Sequence, residues 1–316
     1  MSFFLIKMDF KGRDIISIRD FSKKEIDHIL NYANKMIPYA KGKKYEAKLK
    51  GKVLSSLFFE PSTRTRLSFE TAMNRLGGRV IGFADPSGTS QKKGESLADT
   101  IRMANSYSDA IVIRHHQEGA ARLAAEFADV PVVNAGDGAG HHPTQCLLDL
   151  FTIRAEKKGI KNKNIVLVGD LKYGRTVHSL AHALALYGAQ LTFVSPVTLK
   201  MPIEVINDCK ELGVEPLQTV SLDKAVKEAD VLYVTRIQKE RFPDPGEYNR
   251  VVGSYKINIE LLKEAKKNII VMHPLPRVTE IDPEVDKTPH AIYFKQAFNG
   301  VPVRMALLSL ILGGKL

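Results

Sequence analysis

The stretch Phe58–Thr71, FFEPSTRTRLSFET, predicts the end of a buried strand followed at once by the start of a helix. Residues 53–59 form an apolar, strand-like run, and Pro61 with Ser62 is a typical strand stop and helix cap. The apolar residues that recur at helical spacing after this cap are Phe69, Ala72, Met73 and Leu76. With a second strand expected at residues 80–83, this stretch predicts a βαβ unit and a parallel sheet.

Two arginines, Arg64 and Arg66, stand in the first turn of this helix, where the positive end of the helix dipole disfavours cations. A bound anion would remove that conflict. Exposed helix amides, hydroxyl groups and guanidinium groups together have the chemistry needed to hold a phosphate. A capped surface helix with solvated arginines is the simpler alternative. It accounts for a lone arginine better than for two arginines and three hydroxyls within five residues.

Strand and helix segments alternate outward from this stretch along the whole chain. The predicted strands are residues 53–59, 80–83, 110–114, 131–134, 165–168, 190–195, 231–235 and 269–272. The pattern restarts after a helix at 144–157, and 316 residues exceed the usual size of one core. We therefore expect an α/β protein of two doubly wound parallel-sheet domains, with the active site in the cleft between them. The expected domains are 1–145, joined by the C-terminal segment 293–316, and 146–292.

Cations and histidines follow most of the predicted strands. In chain order these residues are Arg64, Arg114, His115, His142, Arg175, Arg236 and His273. Ligands of open α/β sheets bind beyond the carboxyl ends of the strands. One arginine at a strand end is commonly a surface residue, but four of them predict a site for anionic substrates.

Composition excludes several other classes of protein. The net charge of +11 invites a nucleic-acid interpretation, but residues 1–50 carry twelve Lys or Arg against six Asp or Glu without any base-stacking pattern. No apolar run is long enough to cross a membrane. Cys146 and Cys209 have neither metal-site spacing nor a disulfide framework, which is typical of a reducing compartment, so we expect a cytoplasmic protein. Gly169 and Gly174 do not make the GxGxxG fingerprint of a nucleotide-dependent dehydrogenase.

STRTR followed by SFE, at residues 62–70, resembles the phosphate-binding turn of the aspartate/ornithine carbamoyltransferase family. Members of this family transfer a carbamoyl group from carbamoyl phosphate to an amine. HPTQ at 142–145 and HPLPR at 273–277 support a resemblance that runs from about Ile15 to Met305. The nucleophile of such a reaction is the amine of the substrate, so the resemblance implies no metal, no cofactor and no Ser or Cys nucleophile.

The resemblance implies that the first domain binds carbamoyl phosphate. The residues implied to hold the phosphate are Ser62, Thr63, Arg64 and Thr65. Arg114 would bridge the phosphate and the carbonyl oxygen, which His142 and Thr65 would also hydrogen-bond. The groups implied to receive the carbamoyl amino group are Gln145 and the backbone carbonyls near Leu275 and Pro276, and the resemblance suggests a cis bond between those last two residues.

The resemblance implies that the second domain binds the amino-acid substrate. The residues implied to take the aspartate carboxylates are Arg175, Arg236 and Gln238. Lys93, with Ser90, would arrive from a neighbouring subunit of a homotrimer. Glu60 would pair with Arg175 and Arg241 as the domains close. In many relatives the trimers assemble with a separate nucleotide-binding regulatory chain, and the sequence leaves open whether one binds here.

The nearest alternative is the ornithine branch of the family, which shares STRTR and an HPxQ segment. That branch would be expected to carry an HCLP-type segment where this chain has HPLPR, and it must receive a cationic side chain. Arg236, in TRIQKER, suits a second carboxylate and would repel an ammonium group. We therefore expect transfer to L-aspartate, which gives N-carbamoyl-L-aspartate in an early step of de novo pyrimidine biosynthesis.

Overall fold

The computed structural model describes residues 9–138, 140–238, 242 and 244–314. The chain forms two compact units, one from Met1–Thr144 with Gly300–Leu316 and the other from Gln145–Asn299. It passes from the first unit to the second within one helix, Pro143–Lys157, and returns within another, Tyr293–Ile311. None of the helices in these described ranges has the length and apolar character needed to span a bilayer.

The first unit contains a four-stranded parallel sheet in the order β2-β1-β3-β4. Its strands are β1 (Val53–Phe58), β2 (Arg79–Phe83), β3 (Ala110–His115) and β4 (Val132–Asp137). Its helices are α1 (Lys23–Ala40), α2 (Thr63–Arg75), α3 (Leu97–Tyr107) and α4 (Ala120–Phe127), and α5 (Pro143–Lys157) begins in it. Strands β1, β3 and β4 are almost wholly buried, whereas strand β2 at one end of the sheet is largely accessible.

The second unit contains a five-stranded parallel sheet in the order β7-β6-β5-β8-β9. Its strands are β5 (Asn164–Val168), β6 (Gln190–Val194), β7 (Leu217–Thr219), β8 (Val231–Val234) and β9 (Ile270–Met272). Its helices are α6 (Arg175–Leu186), α7 (Ile203–Glu211), α8 (Leu222–Glu228), α9 (Pro245–Val251) and α10 (Ile259–Lys263), and α11 (Tyr293–Ile311) begins in it. The predicted fold class, two parallel-sheet α/β domains, is confirmed.

The sequence pattern located the long elements but missed three short ones. The missed elements are β7, α9 and α10. Strand β7 has three residues on the edge of its sheet, and Leu217 within it is exposed, so neither a buried run nor a clear alternation marks it. Helix α11 begins at Tyr293, and its first half buries polar residues such as Gln296 and Asn299, which no apolar pattern reveals.

Each sheet has one point where its strand order reverses. In the first sheet the chain moves outward from β1 to β2 and then crosses to β3 on the other side of β1. In the second it moves outward from β5 through β6 to β7 and then crosses to β8. Crevices at such switch points, beyond the carboxyl ends of the strands, are the usual ligand sites of doubly wound sheets. The two points lie between β1 and β3 and between β5 and β8.

Candidate active site

The first switch point carries the start of helix α2. Ser62 is its N-cap residue in an extended conformation, yet its side chain makes no capping hydrogen bond. The first turn contains no acidic residue. Thr65 is buried there, whereas Thr63 is exposed. A helix start with neither a side-chain cap nor an acidic residue is suited to an anionic ligand.

Arg64 and Arg114 come together at this switch point. Arg114 is on β3 in register with Phe58, the last residue of β1. Partial burial, and then the positive charge of Arg114, lower the pKa of Arg64, although the residue as a whole is classed as exposed. Two neighbouring guanidinium groups repel each other, and a doubly charged anion between them would reverse the sign of that interaction.

Glu60 and Ala135 hold Arg114 in this place. Arg114 Nη2 donates to Glu60 Oε1 at 2.9 Å, and its Nη1 donates to the Ala135 carbonyl at 3.2 Å. The pairing of Glu60 with Arg175 and Arg241 stays a prediction, and Arg241 lies outside the described residues. Arg66, which the sequence argument counted with Arg64, instead forms an ion pair of 2.9 Å with Glu70 one turn along α2. Arg64 is therefore the arginine of this turn that remains a candidate ligand.

A buried carboxylate shapes the turn that leads to His142. Asp137, at the end of β4, accepts hydrogen bonds from the backbone N–H groups of Gly119 at 3.0 Å and His141 at 2.8 Å. It also accepts one at 3.0 Å from the side chain of Asn134. These bonds fix the loop, so His142 enters α5 buried and in a defined position. The neighbouring His141 has its Nδ1 3.4 Å from Ser17 Oγ.

His115 is a buried neutral histidine beside this site. Its Nδ1 accepts a hydrogen bond of 3.0 Å from the Gln117 backbone N–H. Burial, followed by the charge of His116, lowers the pKa of His115 to about 4, against the opposing effects of Glu60 and Asp137. The imidazole thus carries no charge at neutral pH.

The low pKa of His115 should make a measurable contribution to the pH dependence of the unfolding free energy. Because the folded-state pKa lies below 6.5, the unfolded chain binds the proton more tightly, so this contribution to stability is complete above about pH 6.5 and is lost as the pH falls through 4. We expect His115→Gln to remove up to about 3 kcal/mol of the acid-dependent loss of unfolding free energy. Urea unfolding at pH 7 and pH 4.5 measures it. Identical pH dependence in the parent and the variant would contradict the assignment.

Arg304 is a residue of the first unit that sequence reasoning missed. It is 3% exposed on α11, and its guanidinium lies 4.7 Å above the ring of Phe69. Its Nη1 donates to Ser68 Oγ, and its Nη2 donates to Thr144 Oγ1 at 3.3 Å. Arg304 therefore ties the start of α2, with its STRTR turn, to the start of α5. The available signal was an arginine in the apolar run 303–308, VRMALL.

The second switch point is organised by Asp170, another missed residue. Asp170 is fully buried just beyond β5 and accepts a hydrogen bond of 2.9 Å from the Tyr173 N–H. Burial raises the pKa of Asp170, while hydrogen bonds from the backbone of Tyr173, Gln238 and Lys172 oppose that rise. Asp170 therefore joins the loop before Arg175 to the backbone of Gln238.

A glycine after β5 lets the backbone there lie close to the backbone that follows β8. Gly169 has a φ of +121°, and a Cβ there would lie 2.2 Å from the Thr235 carbonyl oxygen, so only glycine fits. Arg236 and Gln238 follow β8, the neighbour of β5. Arg175 is the first residue of α6. The structure thus brings the three candidate carboxylate-binding residues to one edge of the second sheet.

The segment after β9 contains the expected cis bond, Leu275–Pro276. His273 Nδ1 accepts a hydrogen bond of 2.7 Å from the Leu275 N–H, and its Nε2 lies 2.8 Å from Glu280 Oε1. His273, one of the histidines that follow the predicted strands, therefore has a structural role. Gln145, at the start of the second unit, is buried and donates to Asp149 at 2.9 Å.

Lys93 is placed differently from the other candidates. It ends an exposed 3-10 turn, Ser90–Lys93. It makes no hydrogen bond or ion pair within the part of the chain that the structure describes. Its role at a shared site stays a prediction. In those same described ranges, no group of three or more His, Cys, Asp or Glu side chains is arranged to hold a metal ion.

Comparisons with known proteins indicate one family over nearly the whole chain. The family profile "Aspartate/ornithine carbamoyltransferase, carbamoyl-P binding domain" matches residues 13–156, and the "Asp/Orn binding domain" profile matches 161–311. The aspartate carbamoyltransferase catalytic subunits of Thermococcus kodakarensis and Methanothrix thermoacetophila are each 60% identical, with 97% and 96% of this chain and 99% of each relative covered.

Solved structures give the same result. The catalytic subunit of M. jannaschii aspartate transcarbamoylase has a TM-score of 0.88 and 55% identity, covering 94% of this chain and 97% of its own. The Trypanosoma cruzi aspartate transcarbamoylase in complex with carbamoyl phosphate and aspartate has a TM-score of 0.91 and 40% identity, covering 96% and 98%. The chain belongs to the aspartate/ornithine carbamoyltransferase family.

Proposed function

We propose that this chain is an aspartate carbamoyltransferase catalytic subunit. It transfers the carbamoyl group of carbamoyl phosphate to the amine of L-aspartate and releases phosphate, in an early step of de novo pyrimidine biosynthesis. The observation that carries this proposal is the placement of cationic groups at the switch points of both sheets. Arg64 and Arg114 lie at the first, and Arg175 and Arg236 lie at the second.

Carbamoyl phosphate binds to the first unit. The start of α2 offers backbone N–H groups and the hydroxyls of Ser62, Thr63 and Thr65 to the phosphate, and Arg64 neutralises its charge. Arg114 bridges the phosphate and the carbonyl oxygen, which Thr65 and His142 also hydrogen-bond. Gln145 and the backbone carbonyls near Leu275 and Pro276 receive the carbamoyl amino group.

Aspartate binds to the second unit. Arg175 and Arg236 pair with its two carboxylates, and Gln238 adds a polar contact beside them. An ornithine side chain ends in an ammonium group, which Arg236 would repel. The charge of this edge therefore favours a dicarboxylate.

The reaction needs no nucleophile from the protein. The deprotonated amine of aspartate attacks the carbonyl carbon, the C–O bond to phosphate breaks, and phosphate leaves with the bonding electron pair and can accept the amine proton. Holding both substrates can lower the barrier by roughly 7–11 kcal/mol. Fixed donors at the carbonyl oxygen, here Arg114, Thr65 and His142, stabilise the negative charge that develops there.

A transfer assay tests this function. Purified protein is incubated with carbamoyl phosphate labelled in its carbonyl carbon and, in parallel, with L-aspartate or L-ornithine. We expect labelled N-carbamoyl-L-aspartate and at most a trace of citrulline. Product from ornithine alone would mean that the chain is an ornithine carbamoyltransferase. No product from either amine would contradict carbamoyl transfer.

We further propose that the enzyme is a cytoplasmic homotrimer whose active sites are shared. Lys92 and Lys93 are exposed at the end of the 3-10 turn Ser90–Lys93, which leaves them accessible to a neighbouring subunit. Lys93, with Ser90, then completes the aspartate site of that neighbour. A nucleotide-binding regulatory chain is a further partner that sizing of the native complex would detect.

Mixed trimers test the shared site. Lys93→Ala and Arg64→Ala chains, each nearly inactive alone, are dissociated, mixed in equal amounts and reassembled. If a site uses Arg64 of one chain and Lys93 of the next, random cyclic assembly restores about a quarter of the sites. Recovery is measured as the specific activity of the mixture. Activity no greater than the mean of the two separate variants would mean that each chain builds its own site.

A further inference from the structure

Asp149 is a fully buried carboxylate of α5 that the proposed chemistry does not use directly. It stands in an apolar run, LLDLF at residues 147–151, and is 0% exposed. Gln145 Nε2 and Gln296 Nε2 donate to its Oδ1 at 2.9 and 2.7 Å, and the Tyr233 hydroxyl donates to its Oδ2 at 2.8 Å. A carboxylate in such surroundings is costly to bury, and these donors offset that cost.

The charge on Asp149 fixes which way the Gln145 amide points. An amide has a donor end and an acceptor end, and only the donor end is attracted to a carboxylate. With Nε2 directed at Asp149, the Oε1 atom of Gln145 is the end left for another partner. The amino group of carbamoyl phosphate is a donor, so it needs an acceptor there. Without Asp149, nothing in this pair would prevent the amide from turning its NH₂ group toward that donor.

Gln296 links Asp149 to the segment after β9 by two hydrogen bonds. Its Nε2 donates to Asp149, and its Oε1 accepts a hydrogen bond of 2.8 Å from the His273 backbone N–H. His273 in turn accepts the hydrogen bond from the Leu275 N–H at 2.7 Å. Both ends of the Gln296 amide are therefore assigned by their partners. One carboxylate thus orients Gln145 and anchors the backbone that leads to Leu275 and Pro276.

Tyr233 is a further hydrogen-bond donor to this carboxylate. Burial, and then the charge of Asp149, raise the pKa of the Tyr233 hydroxyl well above its ordinary value, so the hydroxyl stays protonated and keeps donating. The same two causes raise the pKa of the Cys146 thiol, which stays neutral. The network therefore keeps one pattern of donors and acceptors across the neutral pH range.

We propose that Asp149 is a positioning residue for the carbamoyl amino group. Through Gln145 it directs an acceptor oxygen at the N–H groups of carbamoyl phosphate, and through Gln296 it holds the backbone whose carbonyls near Leu275 and Pro276 accept from the same groups. The inference rests on the proposed function, because it takes carbamoyl phosphate as the ligand. It predicts that loss of Asp149 weakens the binding only of ligands that carry the amino group. Inorganic phosphate, which lacks that group, serves as the comparison ligand.

The test compares two dissociation constants in the full-length protein and in Asp149→Asn. An asparagine keeps the shape but turns one acceptor into a donor, which then faces one of the three donors. We expect carbamoyl phosphate to bind about tenfold more weakly and phosphate to bind within about twofold of the parent value. An unchanged affinity for carbamoyl phosphate would overturn the proposal. Equal weakening of both ligands would also overturn it, since that is the result of a general structural role.

Two further variants keep the test decisive if Asp149→Asn folds poorly. Gln296→Met breaks the link to His273 and leaves Gln145 on Asp149, so we expect a smaller loss that is again specific to carbamoyl phosphate. Thr152→Val is the matched control, because Thr152 is equally buried on α5 and its hydrogen bonds lie outside the Asp149 network: it donates to the Leu148 carbonyl at 2.7 Å and accepts from Asn299 Nδ2 at 2.9 Å. Its ratio of the two dissociation constants should equal that of the parent. A specific loss in Thr152→Val, or none in Gln296→Met, would contradict the proposal.

Measurements on the parent protein distinguish failure of this inference from failure of the proposed function. If the parent binds no carbamoyl phosphate and forms no carbamoyl aspartate, the proposed function fails and Asp149 has no ligand to position. If the parent is active and Asp149→Asn binds carbamoyl phosphate as the parent does, the function stands and only the role of Asp149 is wrong.

Discussion

Arg64→Ala is expected to lower kcat by about 10²–10³-fold, the cost of removing one fixed donor at a developing charge. Arg64 lies in the first turn of α2 close to Arg114, which contributes to lowering its pKa, so it sits where a doubly charged phosphate is needed. Each charge-assisted hydrogen bond lost costs about 1.5–3 kcal/mol. We therefore also expect weaker binding of carbamoyl phosphate. Steady-state kinetics and equilibrium dialysis with the labelled substrate measure the two effects.

Arg66→Ala is the control for this variant. Arg66 is two residues further along α2, and its ion pair with Glu70 is an ordinary helix-surface pair worth about 0.5 kcal/mol. We expect turnover within about twofold of the parent and little change in unfolding free energy. Carbamoyl phosphate binding in Arg64→Ala as tight as in the parent would contradict the assignment. Equal losses in both variants would mean that the helix, rather than Arg64, had been damaged.

Arg236→Ala is expected to raise the KM for aspartate by about 10–100-fold, because one charge-assisted contact to a carboxylate is lost. The dissociation constant for carbamoyl phosphate should change by less than about twofold, because Arg236 is not among the residues proposed to contact that substrate. Arg236 follows β8 at the second switch point, beside the backbone of Gln238 that Asp170 holds. This split between two substrates distinguishes loss of one contact from general instability.

Lys210→Ala is the matched loss of a positive charge in the same unit. Lys210 is 46% exposed on α7 and forms a 2.9 Å ion pair with Glu215. Such exposed pairs contribute about 0–1 kcal/mol, so KM for aspartate should stay at the parent value. The reverse split in Arg236→Ala, with carbamoyl phosphate weakened and aspartate unaffected, would mean that the two units had been given the wrong substrates.

The sequence was most informative where buried strands end in charged residues. The apolar runs before Arg64, Arg114 and Arg236 predicted strands whose observed ends lie within one or two residues, because inner parallel strands are buried on both faces. Because the strands of each sheet are parallel, Arg64 and Arg114 were expected at one edge of the first sheet and Arg236 at one edge of the second. The family resemblance added roles to them, and those roles stay proposals until they are tested.

The sequence was least informative about what holds the candidate residues in place. Asp137, Asp149, Asp170 and Arg304 are buried charged residues whose partners include distant segments, such as Gln296 for Asp149, 147 positions away. No local period or turn pattern encodes such pairs. For Asp149 and Arg304 the one signal was a charge inside an otherwise apolar run. Arg66 shows the opposite failure, since its local partner Glu70 was four residues away and the anion argument passed over it.

The central proposal is that Arg64 binds the phosphate of one substrate and Arg236 binds a carboxylate of the other. Calorimetric titration with N-(phosphonacetyl)-L-aspartic acid, the ligand of a Trypanosoma cruzi relative, tests it most directly because this molecule carries a phosphonate and two carboxylates at once. We predict tight one-to-one binding to the parent and binding at least about tenfold weaker in both Arg64→Ala and Arg236→Ala. Parent-like binding in either variant would contradict the role proposed for the substituted arginine.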